Sequence, residues 1–172
     1  GFKEDAGLLF RLAIRKKRPI TFAYLDVDNL KSVNDSLGHK EGDQVLKAVS
    51  NTLLDSVRYT DRVGRLGGDE FALVLTEMKA SDAEVLVSRL HKRLLKMMQD
   101  RGWPVGVSIG VVSFADSVPD IEDAMEYADS LMYKAKREGK GRLIFEQDPV
   151  VSKPCVKEII HPTDGIHSSK MN

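Results

Sequence analysis

Two adjacent glycines followed by two acids, Gly67-Gly68-Asp69-Glu70, separate two strand-like stretches, Arg62–Leu66 and Phe71–Leu75. No other feature constrains the fold as tightly. Strand-like runs on either side of a glycine pair predict a β-hairpin in which the glycines supply the positive φ of a tight turn. The lack of side chains there also lets a ligand approach the backbone. Asp69 and Glu70 repel one another at the hairpin mouth unless a cation sits between them, a place suited to a divalent metal. In a regular strand the two carboxylates point to opposite faces, so both reach one site only if the mouth is irregular.

A second acidic pair, Asp26 and Asp28, ends the apolar run Ile20–Leu25. Nearly every position from Ile20 to Val27 is apolar, the pattern of a strand buried on both faces. Positions i and i+2 of a strand share a face, so both carboxylates point the same way. Two acid pairs at two strand ends suggest one metal–phosphate site. Around them the periodicity predicts helices over 3–17, 30–37, 41–57, 81–99 and 120–136, with Ser81 and Glu84 as a capping box. Strands are predicted over 105–114 and 142–145. Mixed strands and helices around a hairpin give an α/β (α+β) layered domain. Residues 147–172 hold Pro149, Pro154, Pro162 and Gly165, which predicts a tail or linker after a domain over 1–146.

Composition removes several function classes. Lys plus Arg number 26 and Asp plus Glu 26, so no net field attracts nucleic acid or an acidic membrane. Neither partner is expected. The basic cluster Arg11, Arg15, Lys16, Lys17 and Arg18 reads as a solvated helix face. Cys155 is the single cysteine, so no internal disulfide forms, and the four histidines lack zinc-ligand spacing. With no membrane-spanning run and no signal-peptide pattern, a cytoplasmic location is expected. The chain begins at Gly1 and is expected to be a piece of something longer.

Gly67-Gly68-Asp69-Glu70-Phe71 resembles the signature of GGDEF domains, the diguanylate cyclases that join two GTP into cyclic di-GMP. Further elements agree with it in order. Asp26-Val27-Asp28-Asn29-Leu30-Lys31 resembles the D-x-D-x-F-K element of that family. Asn34-Asp35, Gly38-His39 and Gly42-Asp43 resemble its N-D-x-x-G-H-x-x-G-D run. Ser108-Ile109-Gly110 matches an S-I-G strand, and Ala128-Asp129, Tyr133, Ala135 and Lys136 match an A-D-x-x-x-Y-x-A-K helix. The resemblance implies a central mixed five-stranded sheet flanked by helices, similar to the palm of nucleotidyl cyclases.

The resemblance also implies roles. Asp26, the Val27 carbonyl, Asp69 and Glu70 would hold two Mg²⁺ (or Mn²⁺) ions, with Asp69 the helper in deprotonating the attacking hydroxyl and Glu70 completing the site. Asn34 and Asp43 would read guanine, since a carboxylate can accept from both N1–H and the 2-amino group, a donor pair adenine lacks. Lys31, Lys136 and Lys140 would hold the β- and γ-phosphates, with the bare backbone at Gly67 and Gly68 beside them. Arg58-Tyr59-Thr60-Asp61 matches the family's R-x-x-D product-inhibition site, where Arg58 would stack on a guanine of cyclic di-GMP and Asp61 accept from its edge. Arg89 would add a further product contact. Catalysis is expected from a homodimer, one GTP per subunit.

Three departures accompany the match. The family's opening L-T-G-L-x-N-R element falls just before this chain's first residues, which implies an upstream sensor or dimerising segment. Leu30 stands where Phe is usual, and Lys140 where Arg is common, which keeps the charge and loses the bidentate geometry. The competing reading is a catalytically silent module that senses GTP or cyclic di-GMP for an attached domain. The retained Asp26, Asp69 and Glu70 favour the enzyme.

Overall fold

A computed structural model describes residues 1–151. The expected tail or linker falls largely outside the described residues. The chain order is α1 (Phe2–Lys16), β1 (Ile20–Asp28), α2 (Leu30–Leu37), α3 (His39–Leu54), β2 (Arg62–Gly67), β3 (Glu70–Thr76), α4 (Ala80–Asp100), β4 (Gly106–Phe114), α5 (Ile121–Arg137) and β5 (Leu143–Gln147). β5 ends one residue past the expected boundary at 146. Asp148 continues the anchoring: its N–H donates to the Ser113 carbonyl at 2.8 Å, and its Oδ1 accepts from Ala115 N at 2.7 Å.

One mixed sheet of order β2-β3-β1-β4-β5 forms the centre. β1 lies antiparallel to β3 and β4, β2 antiparallel to β3, and β5 parallel to β4. The apolar run Ile20–Val27 occupies the middle strand because both its faces are covered. Leu25 and Val27 face α2, α3 and α4 in one core with Val33, Val45, Leu53, Leu90 and Leu94. Ile20 and Phe22 face α1 and α5 in a second core with Phe10, Ala124 and Ala128. The expected five-stranded mixed sheet flanked by helices is the fold observed.

Gly110 governs how closely α5 approaches that sheet. A Cβ there would lie 2.8 Å from Leu131 Cβ and nearer still to the Ala128 carbonyl and the Met132 amide. Backbone has no room to yield, so the bare Gly110 seats α5, and with it Lys136, against β4.

Two local expectations need correction. The capping box at Ser81 does not form: α4 starts at Ala80 with Lys79 in extended backbone as N-cap, and the Lys79 carbonyl accepts from Asp82 and Ala83. The helix thus begins one residue before the serine, with no side-chain cap on its first turn. Neither Gly67 nor Gly68 takes a positive φ. The hairpin closes over Gly68-Asp69 through an irregular register between Arg65 and Gly67. The Arg65 guanidinium secures it, donating to the Gly68 carbonyl from Nε at 3.0 Å and Nη2 at 2.6 Å. What the glycines contribute is space: among the described residues, apart from its chain neighbours, no atom lies within 4 Å of a Cβ built on Gly68.

Candidate active site

The acids gather where β1 ends. Asp26 is paired in register with Glu70 of β3 and with Ser108 of β4. Val27 N–H donates to the Asp69 carbonyl at 3.0 Å, extending the ladder past the strand and fixing the acidic turn beside β1. Asp69 therefore stands off the strand while Glu70 begins it. The irregular mouth anticipated from sequence exists, and Asp26, Val27, Asp69 and Glu70 come together there.

Asp26 is buried, and Lys136 of α5 reaches it with Nζ 2.8 Å from Oδ1. Burial pushes the Asp26 carboxyl above its ordinary value; the Lys136 hydrogen bond opposes this, and the Asp69 and Asp28 charges add to it. For Lys136, burial pulls the ammonium down, but the hydrogen bond to Asp26 and the charges of Asp26, Asp28 and Asp69 outweigh it, so it is raised. Both shifts describe one electrostatic fact. A desolvated acidic pocket holds a cation, and Lys136 is that cation here.

Glu70 acts on a different neighbour. Tyr24, two residues before Asp26 and so on the same face, has its hydroxyl pushed up to about 12 by burial, then by the Glu70, Asp129 and Asp26 charges. Tyr24 was not singled out from sequence, although the two-residue spacing places it there.

Asp28 has a separate duty. Its Oδ2 accepts from Ser108 Oγ at 2.8 Å and from Gly141 N at 2.9 Å, while the buried Oδ1 has no partner among the described residues. The clasp holds the loop after α5, where Gly139, Lys140 and Gly141 all take positive φ. Lys140 donates from Nζ to Asn29 Oδ1 at 2.9 Å, and Asn29 itself sits at φ 62. Lys140 thus reaches the start of α2, where Lys31 is exposed on the first turn. Asp28, Ser108 and Asn29 form a support the sequence did not announce.

Asn34 is half-buried on α2 and Asp43 exposed on α3. The two helices meet at Gly38 alone, which caps both at φ 90, so α3 folds back at once. This brings Asn34 against Gly42, the neighbour of Asp43.

Arg58 is exposed and lines a cleft of about 720 Å³ with Lys16, Arg18, Arg62 and Tyr59. Asp61 lies elsewhere in character. It is buried, with Oδ2 accepting from Arg58 N at 2.9 Å and Oδ1 from Thr76 N at 3.0 Å. Its carboxylate holds the turn rather than facing solvent. Arg89 is exposed on α4, one turn before Arg93, which donates to Ser56 at 3.3 Å.

The donor set suits a hard divalent ion, being oxygen throughout with a desolvated carboxylate at its centre. Among the described residues, no three Asp, Glu, His or Cys side chains are already gathered as a metal cage. The fit is therefore of chemistry and proximity, with Lys136 on Asp26. No helix among the described residues is long and apolar enough to cross a membrane.

Comparison with known proteins agrees with this geometry. The family model "Diguanylate cyclase, GGDEF domain" matches residues 1–142. The chain is 39% identical over 135 residues to diguanylate cyclase DosC of Escherichia coli strain K12, covering 76% of this chain and 29% of that protein. It is 31% identical over 151 residues to YhcK of Bacillus subtilis, an uncharacterized protein, covering 85% and 42%. The chain thus spans under half the length of these relatives. Among solved structures, the active GGEEF domain of a diguanylate cyclase from Vibrio cholerae superposes with TM-score 0.75 at 28% identity, covering 84% of this chain and 93% of that one. A microbial GGDEF domain studied for its interaction with cyclic di-GMP gives 0.73 at 29%, covering 84% and 90%. With the acid pairs at the β1 end, the two-core mixed sheet and these matches in agreement, the chain belongs to the GGDEF family of diguanylate cyclase domains.

Proposed function

We propose that this domain condenses two GTP into cyclic di-GMP and two pyrophosphates, each subunit of a homodimer presenting one GTP. The observation that carries this reading is the intact acidic set: Asp26 buried beside Asp69 and Glu70, with a lysine ammonium already held against it.

In each half-reaction the 3′-oxygen of one GTP bonds to the α-phosphorus of the other as the α–β phosphoanhydride breaks and pyrophosphate leaves. Asp69 accepts the 3′-hydroxyl proton, standing at the turn just before β3 with its main chain tied to Val27 N–H. Divalent ions held by Asp26, the Val27 carbonyl, Asp69 and Glu70 would neutralise phosphate charge and acidify that hydroxyl. Lys136 and Lys140 converge from the end of α5 on the triphosphate, and Lys31 approaches from the first turn of α2. Gly67 and Gly68 leave the space the phosphates need. Asn34 and Asp43 take the guanine edge. Arg58, in the lining of the cleft, binds product and, with Arg89, limits turnover; Asp61 shapes the turn that presents Arg58.

Incubation with GTP and Mg²⁺, with products separated by chromatography, tests the reading. Cyclic di-GMP with pyrophosphate supports it. A cyclic mononucleotide, or binding without turnover at saturating GTP and high protein concentration, would replace it by a one-subunit cyclase or a sensor.

A further inference from the structure

We infer that Gly42 is a positioning residue for nucleobase recognition: the bare Cα of α3 seats the Asn34 carboxamide, and any side chain at 42 expels it. The inference rests on the guanine-reading role of Asn34 and Asp43 given above.

Gly42 is buried at the end of the first turn of α3, where alanine is the better helix former. Its φ is not positive, so backbone conformation does not call for glycine. The explanation lies across the interface. A Cβ at 42 would fall 2.9 Å from Asn34 Cγ, 3.5 Å from Asn34 Nδ2, and in hard overlap with Asn34 Oδ1. These three Asn34 atoms are the nearest that such a Cβ would meet.

Which partner yields is decided by what holds each. The first turn of α3 is fixed from outside, because Trp103 Nε1 donates to Glu41 Oε1 at 2.7 Å. The Asn34 main chain is fixed too, its carbonyl accepting from Gly38 N at 3.1 Å. Only the Asn34 side chain is free to rotate. A methyl at 42 therefore turns the carboxamide out of its seat and leaves both helices in place. Gly42 is next to Asp43 in sequence, so the same turn of α3 positions both groups assigned to the base.

The test uses calorimetry on the full chain with α,β-methylene analogues of GTP and ATP, which bind without turnover. Three variants are compared: G42A, N34A and the double variant. G42A is expected to keep a wild-type melting temperature and to weaken the GTP analogue about tenfold while changing the ATP analogue less than twofold. A merely structural lesion lowers the binding-competent fraction for both analogues and leaves their affinity ratio unchanged. N34A should reproduce that ratio, and adding G42A to N34A should change nothing further. If G42A does not fold, folding restored by Asn34→Gly in the same chain supports the contact, and failure to restore it overturns the inference. An N34A chain that loses GTP preference beside a G42A chain that keeps it overturns the inference alone. An N34A chain with unaltered GTP preference overturns the guanine-reading assignment and this inference together.

Discussion

Lys136 Nζ lies 2.8 Å from Asp26 Oδ1, joining the end of α5 to the middle strand through a carboxylate whose side chain is 8% exposed. The pair links the two groups that ligand binding must separate, since the proposed reaction gives Asp26 to a metal and Lys136 to a phosphate. Lys136→Met leaves a buried carboxylate without its counter-charge. Losing one partner of a buried pair costs about 3–5 kcal/mol, and the partial exposure of Lys136 reduces this to about 1–2 kcal/mol. Melting temperature is expected to fall by about 3–6 °C without nucleotide. Calorimetry with Mn²⁺ alone should find tighter metal binding than in the parent, and GTP binding should weaken at least tenfold. Unchanged Mn²⁺ affinity would show that Lys136 does not compete for Asp26.

Asp28 tests the support beneath the loop that carries Lys140. Asp28→Ala removes the acceptor for Ser108 Oγ and Gly141 N and leaves the half-buried Gly141 N–H only its longer bond to Ser108 Oγ at 3.2 Å, a loss of about 1–2 kcal/mol. The loop carrying Lys140 at φ 59 then loses its clasp. Hydrogen exchange at Gly139–Arg142 should accelerate, and KM for GTP should rise several-fold. An unaltered KM with lowered stability would confine Asp28 to folding.

Arg58 and Asp61 are expected to behave differently although they sit in one four-residue motif. Arg58 is exposed, so Arg58→Ala should leave stability within about 0.5 kcal/mol and abolish inhibition by added cyclic di-GMP. Asp61→Ala strands the Arg58 and Thr76 amides and should cost about 2–3 kcal/mol. Denaturant melts and initial rates with and without product separate the two. Equal, small stability effects for both would contradict the turn-holding role of Asp61.

His91 supplies a pH dependence. Burial lowers its pKa from the ordinary 6.5, against the opposing influence of the Val107 carbonyl at 2.9 Å and the Asp28 charge. With the folded value below the unfolded one, the unfolded chain takes up the proton first. The stabilising contribution is therefore present above about pH 6.5 and lost as pH falls through the lower folded value. Between pH 7 and 5, His91→Gln should lose less melting temperature than the parent. A steeper acid loss in the variant would reverse that sign.

Much of this was legible in the sequence because patterning and packing agree. Ile20–Val27 is apolar at nearly every position since both faces of the middle strand are covered, and the helix expected over 120–136 forms as α5 from Ile121 to Arg137. The acidic set was legible because no apolar core tolerates such residues at strand ends. Long-range partners were hidden. Nothing local says that Asp28 holds a loop at Gly141, that Lys136 reaches back to Asp26, or that Gly42 faces Asn34, because each depends on how helices return to the sheet. Gly67 and Gly68 misled in one respect: glycine advertises positive φ, whereas here it provides empty space, and Arg65 closes the turn.

In the proposed reaction two copies of this domain must meet. Initial rates of cyclic di-GMP formation at saturating GTP and Mg²⁺, measured across a wide range of protein concentration, test it directly. Specific activity is expected to rise with protein concentration, the rate approaching second order in protein in the dilute limit. Cyclic di-GMP formed at constant specific activity down to concentrations where sedimentation finds only monomer would contradict it.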